Sequence, residues 1–258
     1  MSENMPYELT KDERILLSEI EKALYMQPTL LRIKSFIGNR SNKTEAWKEV
    51  FNQIHGILVE AKDDVEDIQE KRKADGQIKD IRQAMKSIAG NSFSNAIVYI
   101  FMQNKIIGNI KAEIFITSKK SQVKNFDTIA TIHVDGETQK PDVDLIIFTT
   151  KNNDDIDKCM ILSLKTSLRE RAGQTYKWKL LMEIATTQNS IKEKYGISYN
   201  PQKMPLVCFA TVNFYNEINN PQHRGMFKFF DKSFIAKPIN KDFISPLSNL
   251  VDFVNQVL

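Results

Sequence analysis

The sequence predicts an α/β fold: a mixed central sheet flanked by helices, behind an N-terminal helical region. Three observations carry this. Residues 141–171, PDVDLIIFTTKNNDDIDKCMILSLKTSLRER, hold two short apolar runs separated by turn-forming residues, the pattern of two buried strands joined as a hairpin. Residues 205–214 (PLVCFATVNF) form another such run, one helix length further on. The first ninety residues, by contrast, carry their apolar positions at helical spacing.

Taken in order, residues 9–25 place Leu9, Ile15, Leu16, Ile20 and Leu24 on one stripe, and Thr10 is an N-cap ahead of Glu13. A short helix is expected over 30–37, stopping at Gly38. A longer one begins near Thr44 and carries Trp47, Val50, Phe51, Ile54, Leu58 and Val59, with His55 in a structural role. Residues 61–76 (AKDDVEDIQEKRKADG) are nearly all charged, which favours a solvated helix face or linker over a DNA-contacting arm. A helix over 77–88 is expected to break at Ala89-Gly90-Asn91, and another to run from Ser92 to about Met102. The division expected is 1–90 as the helical region and 91–258 as the main domain. Lys105, Lys111, Lys119, Lys120 and Lys124 punctuate a polar stretch that suits phosphate neutralisation and ordinary surface equally.

Residues 128–134 (TIATIHV) are β-branched and alternating, and Asp135-Gly136 follows as a turn, so a first strand is expected here, with His133 packed or solvent-facing. The hairpin comes next. A helix is expected over 171–195 with Leu180, Leu181, Ile184 and Ile191 inward, ending at Gly196. The 205–214 strand is then parallel to its neighbour, because a whole helix crosses over to reach it. A last strand is expected over 226–235, and Pro246 opens a terminal helix.

Composition narrows the class of function. With 258 residues, 41% hydrophobic and 26% charged, the chain can bury a full core. A net charge of +4 permits a polyanionic partner without requiring one. Its two cysteines, Cys159 and Cys208, sit inside apolar runs, so no disulfide framework is expected and a reducing cytoplasm fits. No signal-peptide core, membrane-length apolar run, glycine-rich phosphate loop or Cys/His zinc spacing is present. Membrane, nucleotide-loop and zinc functions are thereby disfavoured.

The hairpin is where chemistry concentrates. In an antiparallel pair over 143–148 and 159–164, Asp142 at the start of the first strand and Lys165 at the end of the second share one sheet edge. A carboxylate and an ammonium there are costly to desolvate unless they pair or share a ligand. A structural ion pair would satisfy them equally. Directly behind Lys165 stands Thr166-Ser167-Leu168-Arg169-Glu170-Arg171. Two guanidinium forks can donate to guanine edges and a carboxylate can accept from cytosine, although the same triplet could be a surface salt-bridge cluster of small worth.

Pro141-Asp142, Ser163-Leu164-Lys165 and the Lys165-x-x-x-Arg169-Glu170-Arg171 spacing together resemble the PD-(D/E)XK type II restriction endonucleases, in particular the branch that cuts CCGG and CCNGG sites. The resemblance spans about residues 90–235. It also takes in Val212-Asn213 and the stretch from His223 to Lys232, and the order of expected elements matches the PD-(D/E)XK core. In that branch a non-acid such as Ser163 stands two residues before the lysine, and the missing carboxylate moves to the following helix. Here the corresponding position is Trp178, and the first acid on that helix is Glu183.

The resemblance implies Mg²⁺-dependent, sequence-specific hydrolysis of double-stranded DNA at a short palindrome with a CCGG-type core, leaving 5′-phosphates. It implies Asp142, Lys165 and Glu183 as catalytic residues, with Asp142, the Leu164 carbonyl and Glu183 around the metal. Asp144, Ser163 and Glu113 are auxiliary candidates. Arg169, Glu170 and Arg171 would read bases, with Gln174 and Lys177 on the adjoining helix also facing DNA. A palindromic site implies a homodimer, and restriction implies a partner DNA methyltransferase in the cytoplasm of a bacterial or archaeal cell. Two other readings stay open: a sequence-specific DNA-binding module whose catalytic site has lapsed, and a structure-specific repair nuclease that cuts without regard to sequence.

Overall fold

A computed structural model describes residues 7–141, 143–151, 154–168, 172–201 and 203–258, with residues 172–174 described by backbone only. The helices in chain order are α1 (Lys11–Lys22), α2 (Gln27–Gly38), α3 (Lys43–Glu49), α4 (Ile54–Glu60), α5 (Lys62–Ala74), α6 (Ile81–Ile106), α7 (Phe126–Ala130), α8 (Ala172–Thr186), α9 (Ser190–Lys194), α10 (Pro221–Phe227) and α11 (Asn249–Val257). The strands are β1 (Phe115–Thr117), β2 (Ile132–Val134), β3 (Glu137–Gln139), β4 (Leu145–Thr150), β5 (Ile156–Lys165), β6 (Ile197–Ser198), β7 (Leu206–Thr211), β8 (Lys232–Ile235) and β9 (Ser245–Pro246). No helix among the described residues is long and apolar enough to cross a membrane.

Two compact units emerge. The described residues up to Ala112, with Ile235–Asn240 and Pro246–Val257, make the first; Glu113–Phe234, with Lys241–Ser245 and Leu258, make the second. The first unit is helical. Thr10 caps α1 in a reciprocal capping box with Glu13, as its spacing implies. Glu13 does more, however: its Oε1 lies 2.6 Å from Lys105 Nζ, and both side chains are almost wholly buried. Lys105 is therefore neither a phosphate contact nor ordinary surface; it ties α6 to α1. The charged run forms α5, whose Val65 and Gln69 are buried. The expected break at Ala89-Gly90-Asn91 does not occur, and α6 runs unbroken through it and across the 90/91 boundary. A lone glycine costs a helix about 1 kcal/mol relative to alanine. The apolar face from Phe93 to Met102 outweighs that.

The second unit is built on a six-stranded mixed sheet in the order β1-β4-β5-β7-β8-β9, beside a three-stranded sheet, β3-β2-β6. The expected hairpin is β4–β5, antiparallel, with Leu145 opposite Leu162 and Phe148 opposite Cys159. Its turn closes through Lys151 and Asp155, with Asp154 at φ 61°, a left-handed conformation that Asp tolerates. Strand β7 runs parallel to β5, with Lys165 opposite Thr211. Leu145, Ile146, Ile147, Met160 and Leu162 are fully buried, as are Cys208 and Phe209 on β7. Truncating any large one to alanine costs about 2 to 5 kcal/mol.

Other expectations change as well. Residues 128–134 do not form a strand of the main sheet: Phe126, Ile129 and Ala130 are buried at helical spacing on α7, and only Ile132–Val134 is extended, in the small sheet. The outer strand of the main sheet is β1, within the stretch read as polar loop. The expected 171–195 helix is two, with Asn189 capping α9. The buried face of α8 is Thr175, Lys179, Met182 and Ala185, while Leu180 on α8 and Ile191 on α9 are exposed; polar contacts set that face. The 226–235 stretch begins in α10 and becomes extended only at Lys232.

Candidate active site

The edge of the main sheet where β4 begins and β5 ends carries the polar constellation. Asp144, the residue before β4, accepts three hydrogen bonds at Oδ2: from the Leu164 backbone N–H at 2.7 Å, from Lys165 Nζ at 3.0 Å and from Ser163 Oγ at 3.3 Å. The antiparallel register brings these together, since Leu145 faces Leu162 and the next pair outward is Asp144 with Ser163. The Lys165 side chain is 9% exposed and that of Asp144 is 30% exposed, so the pair lies at the mouth of the sheet edge. Ser163 is buried and lies 3.1 Å, oxygen to oxygen, from the Thr175 hydroxyl. Successive side chains alternate across a strand, so Ser163 and Lys165 share the face that looks toward α8.

The next turns of α8 lead away. Lys179, buried one turn after Thr175, is 2.9 and 3.0 Å from the two Asp231 oxygens, and Asp231 Oδ2 in turn accepts the Val207 N–H at 2.6 Å. Val207 pairs with Ile161, four residues before Lys165, which is about 13 Å along the strand. Glu183 belongs to that end, 3.3 Å from Lys179 and half exposed. Eight residues of helix separate it from Thr175, a rise of about 12 Å. Glu183 is therefore not brought to Lys165.

Glu113 is not brought there either. It lies two residues before Phe115, which pairs with Phe148. That register aligns it with the Thr150 end of β4, about 20 Å from Asp144 at strand rise. Lys177 is exposed, turned about 200° around α8 from Thr175. Asp142, Arg169, Glu170 and Arg171 lie outside the described residues, as does the Gln174 side chain.

Behind Lys165 the chain is held by the turn after β7. Thr166 accepts the Phe214 N–H at 3.2 Å, and Glu217 Oε2 receives the Leu168 N–H at 2.7 Å and the Ser167 hydroxyl at 3.1 Å.

A family model, described as BsaWI restriction endonuclease type 2, matches residues 109–253. The chain belongs to that family. It is accordingly a type II site-specific deoxyribonuclease, and the matched span contains the whole β4–β5 hairpin, α8 and the turn after β7. Among solved structures, one described as metal-depleted Ecl18kI in complex with uncleaved DNA is similar at 13% identity and a TM-score of 0.46, over 96% of this chain and 85% of that one. No curated protein matches.

A divalent metal suits a family of this kind, and the described residues fit one in part. Asp144 Oδ2 is engaged by three donors, while its partly exposed carboxylate has a second oxygen to offer, a hard ligand suited to a divalent cation. The Leu164 carbonyl faces the same neighbouring strand as its N–H, the side on which Asp144 lies. No cluster of three or more metal-ligating side chains occurs among the described residues.

Several of these residues were within reach of sequence reasoning. Asp144 is the acid that directly abuts the apolar run from Leu145 to Phe148, a strand-edge signal separate from the Pro141-Asp142 pair. Thr175 and Lys179 show the i, i+4 spacing of a buried helix face, masked by their polarity. For Glu217 the sequence carries no local signal, because its partners are fifty residues away.

Proposed function

We propose that this endonuclease hydrolyses double-stranded DNA in a Mg²⁺-dependent reaction at a short palindrome with a CCGG-type core, leaving 5′-phosphates. The observation that carries the reading is the Asp144–Lys165 pair at the edge of the β4–β5 hairpin, directly ahead of Arg169-Glu170-Arg171.

Asp144, Asp142 and the Leu164 carbonyl are the groups that would hold the ion. Bound Mg²⁺ supplies a water of lowered pKa and neutralises charge on the phosphate oxygens. Lys165 orients the attacking water and stabilises the negative charge that builds on the phosphoryl oxygens, an electrostatic role for a fixed cation. Asp144 holds Lys165 toward the sheet edge, and its bonds from Leu164 and Ser163 fix the carboxylate in turn. The bond to phosphorus forms from the water oxygen, and the bond to the 3′ oxygen breaks.

Arg169 and Arg171 read guanines and Glu170 a neighbouring cytosine. Gln174 and Lys177 contribute to the DNA-facing surface. A palindrome read by two such segments calls for a homodimer. The host genome then needs protection by a methyltransferase of the same specificity, in the cytoplasm.

The test is incubation of the purified chain with plasmid or phage DNA and Mg²⁺, beside an EDTA control and Lys165→Ala, followed by sequencing of the fragment ends. Discrete fragments that require Mg²⁺ and Lys165, with one sequence at every end, are expected. Intact DNA in all lanes together with sequence-specific retention in a gel shift would replace this reading with a lapsed site.

A further inference from the structure

The turn after β7 is built in a way the cleavage chemistry does not require. Asn213 and Asn216 both adopt left-handed backbone conformations, at φ 51° and 56°, which cost an L-residue more than glycine. They bend the chain sharply enough for the Asn216 N–H to meet the Asn213 carbonyl. Asn213 is buried, takes the Glu217 N–H on Oδ1 at 2.8 Å and donates its own N–H to Thr211 Oγ1 at 2.9 Å. Thr211 is the strand partner of Lys165. His223 Nδ1, at 3.0 Å from the Glu217 carbonyl, secures the other side of the turn.

The product of this construction is a carboxylate aimed at Ser167 and Leu168. Glu217 Oε2 accepts from the Leu168 backbone and from the Ser167 side chain, and Leu168 is itself fully buried. The next three residues are Arg169, Glu170 and Arg171. A negative charge near a surface that meets phosphates weakens DNA binding, so an acid here is unfavourable unless its acceptor strength is used. Hydrogen bonds to a charged acceptor are about twice as strong as neutral ones.

We propose that Glu217 is a positioning residue for sequence recognition: through Ser167 and Leu168 it sets the entry of the 169–171 segment relative to the strand end that bears Lys165. The proposal deepens the reading of that segment as the base reader and rests on it. Glu217 touches neither base nor phosphate in this role. Its effect is on the ratio of cleavage at the cognate site to cleavage at near-cognate sites.

The experiment measures kcat/KM on a duplex carrying the site mapped by end-sequencing and on duplexes with one base pair of that site changed, for wild type, Glu217→Ala, Glu217→Gln and Arg169→Ala. Glu217→Ala is expected to lower the cognate to near-cognate ratio about tenfold or more, the loss that follows from removing a charged acceptor from two donors. Glu217→Gln, which keeps an acceptor for the Leu168 N–H, is expected to restore most of the ratio. A merely structural role reduces the amount of active enzyme and scales both rates together, leaving the ratio unchanged. A wild-type ratio in Glu217→Ala beside a lowered one in Arg169→Ala overturns the proposal and leaves the base-reading assignment standing. An unchanged ratio in Arg169→Ala removes that assignment and the proposal with it. Should Glu217→Ala not fold, as judged by its thermal melt, Ser167→Ala removes one donor and leaves the carboxylate: a lowered ratio supports the proposal, and an unchanged one overturns it.

Discussion

Lys165 Nζ lies 3.0 Å from Asp144 Oδ2, and the same oxygen receives the Leu164 backbone N–H. The lysine is thus held by the carboxylate at the start of the adjacent strand, and the carboxylate is held by the strand that carries the lysine. Neither charge can be removed without loosening the other.

Removing either partner should therefore abolish cutting while sparing DNA retention. Lys165→Ala and Asp144→Asn are each expected to lower the cleavage rate by about 10² or more, the scale of losing a preorganised electrostatic group. Single-turnover cleavage with Mg²⁺, paired with gel shifts in EDTA, checks this. Near-wild-type cutting by Asp144→Asn would remove Asp144 from the metal-holding groups and leave that role to Asp142 and the Leu164 carbonyl.

Glu183 offers the contrast. It is paired with Lys179 at i, i+4 and is half exposed, an arrangement worth about 0.3 to 0.5 kcal/mol. Glu183→Ala should leave both the cleavage rate and its Mg²⁺ dependence within about twofold of wild type, a change of less than 0.5 kcal/mol on that scale. A marked rise in the Mg²⁺ concentration needed for half-maximal cutting would restore Glu183 as a metal ligand.

In the helical unit, Glu13→Ala leaves Lys105 buried without its carboxylate and also removes the acceptor for Tyr7 and for the Thr10 cap. Breaking one side of such a pair costs about 3 to 5 kcal/mol, read as a fall in melting temperature. The double variant Lys105→Met with Glu13→Gln removes both charges and keeps an acceptor for Tyr7 and Thr10, so it should recover much of the loss. Equal destabilisation by both variants would show that neither the stranded charge nor the lost acceptor is the cause, since the double variant carries neither defect.

Stability should also fall on the alkaline side. Burial pushes the Cys159 thiol from 9.0 to about 12, and burial followed by the Asp231 charge raises Cys208 as well. Burial and then the Glu21 charge carry Tyr99 from 10.0 to about 12. These groups are protonated in both states below about pH 9, where their contribution is complete. Above it the unfolded chain releases protons that the native state retains, so stability is lost toward about pH 12. Urea midpoints measured upward from about pH 8 should decline, and less steeply in Cys159→Ala with Cys208→Ala. Identical slopes in the two proteins would exclude the thiols as a cause.

Local pattern and tertiary arrangement contributed differently. The β4–β5 hairpin was legible because six nearly unbroken apolar residues bounded by turn formers have few other uses, and antiparallel pairing then forces Lys165 to the edge where β4 begins. The capping box at Thr10 and the parallel β7 were legible for equally local reasons: a three-residue spacing in one case, a helix-length connection in the other. The structure departs from the expected break at Gly90 and strand at 128–134 because a glycine or a β-branched run expresses a preference of about 1 kcal/mol or less. The burial of α6 and of Phe126 and Ile129 exceeds it.

The amino-acid sequence by itself determined the mixed α/β class, the hairpin that carries Lys165 to the sheet edge, and the family motif, since each is written in residues near one another in the chain. Only the tertiary structure decided that Asp144 pairs with Lys165, that Lys179 turns inward to Asp231 and takes Glu183 with it, and that Glu217 reaches Ser167 and Leu168. Those choices rest on strand register and helix rotation. Both are settled by the packing of whole elements against one another, a balance of many small burial terms that no short stretch of sequence contains.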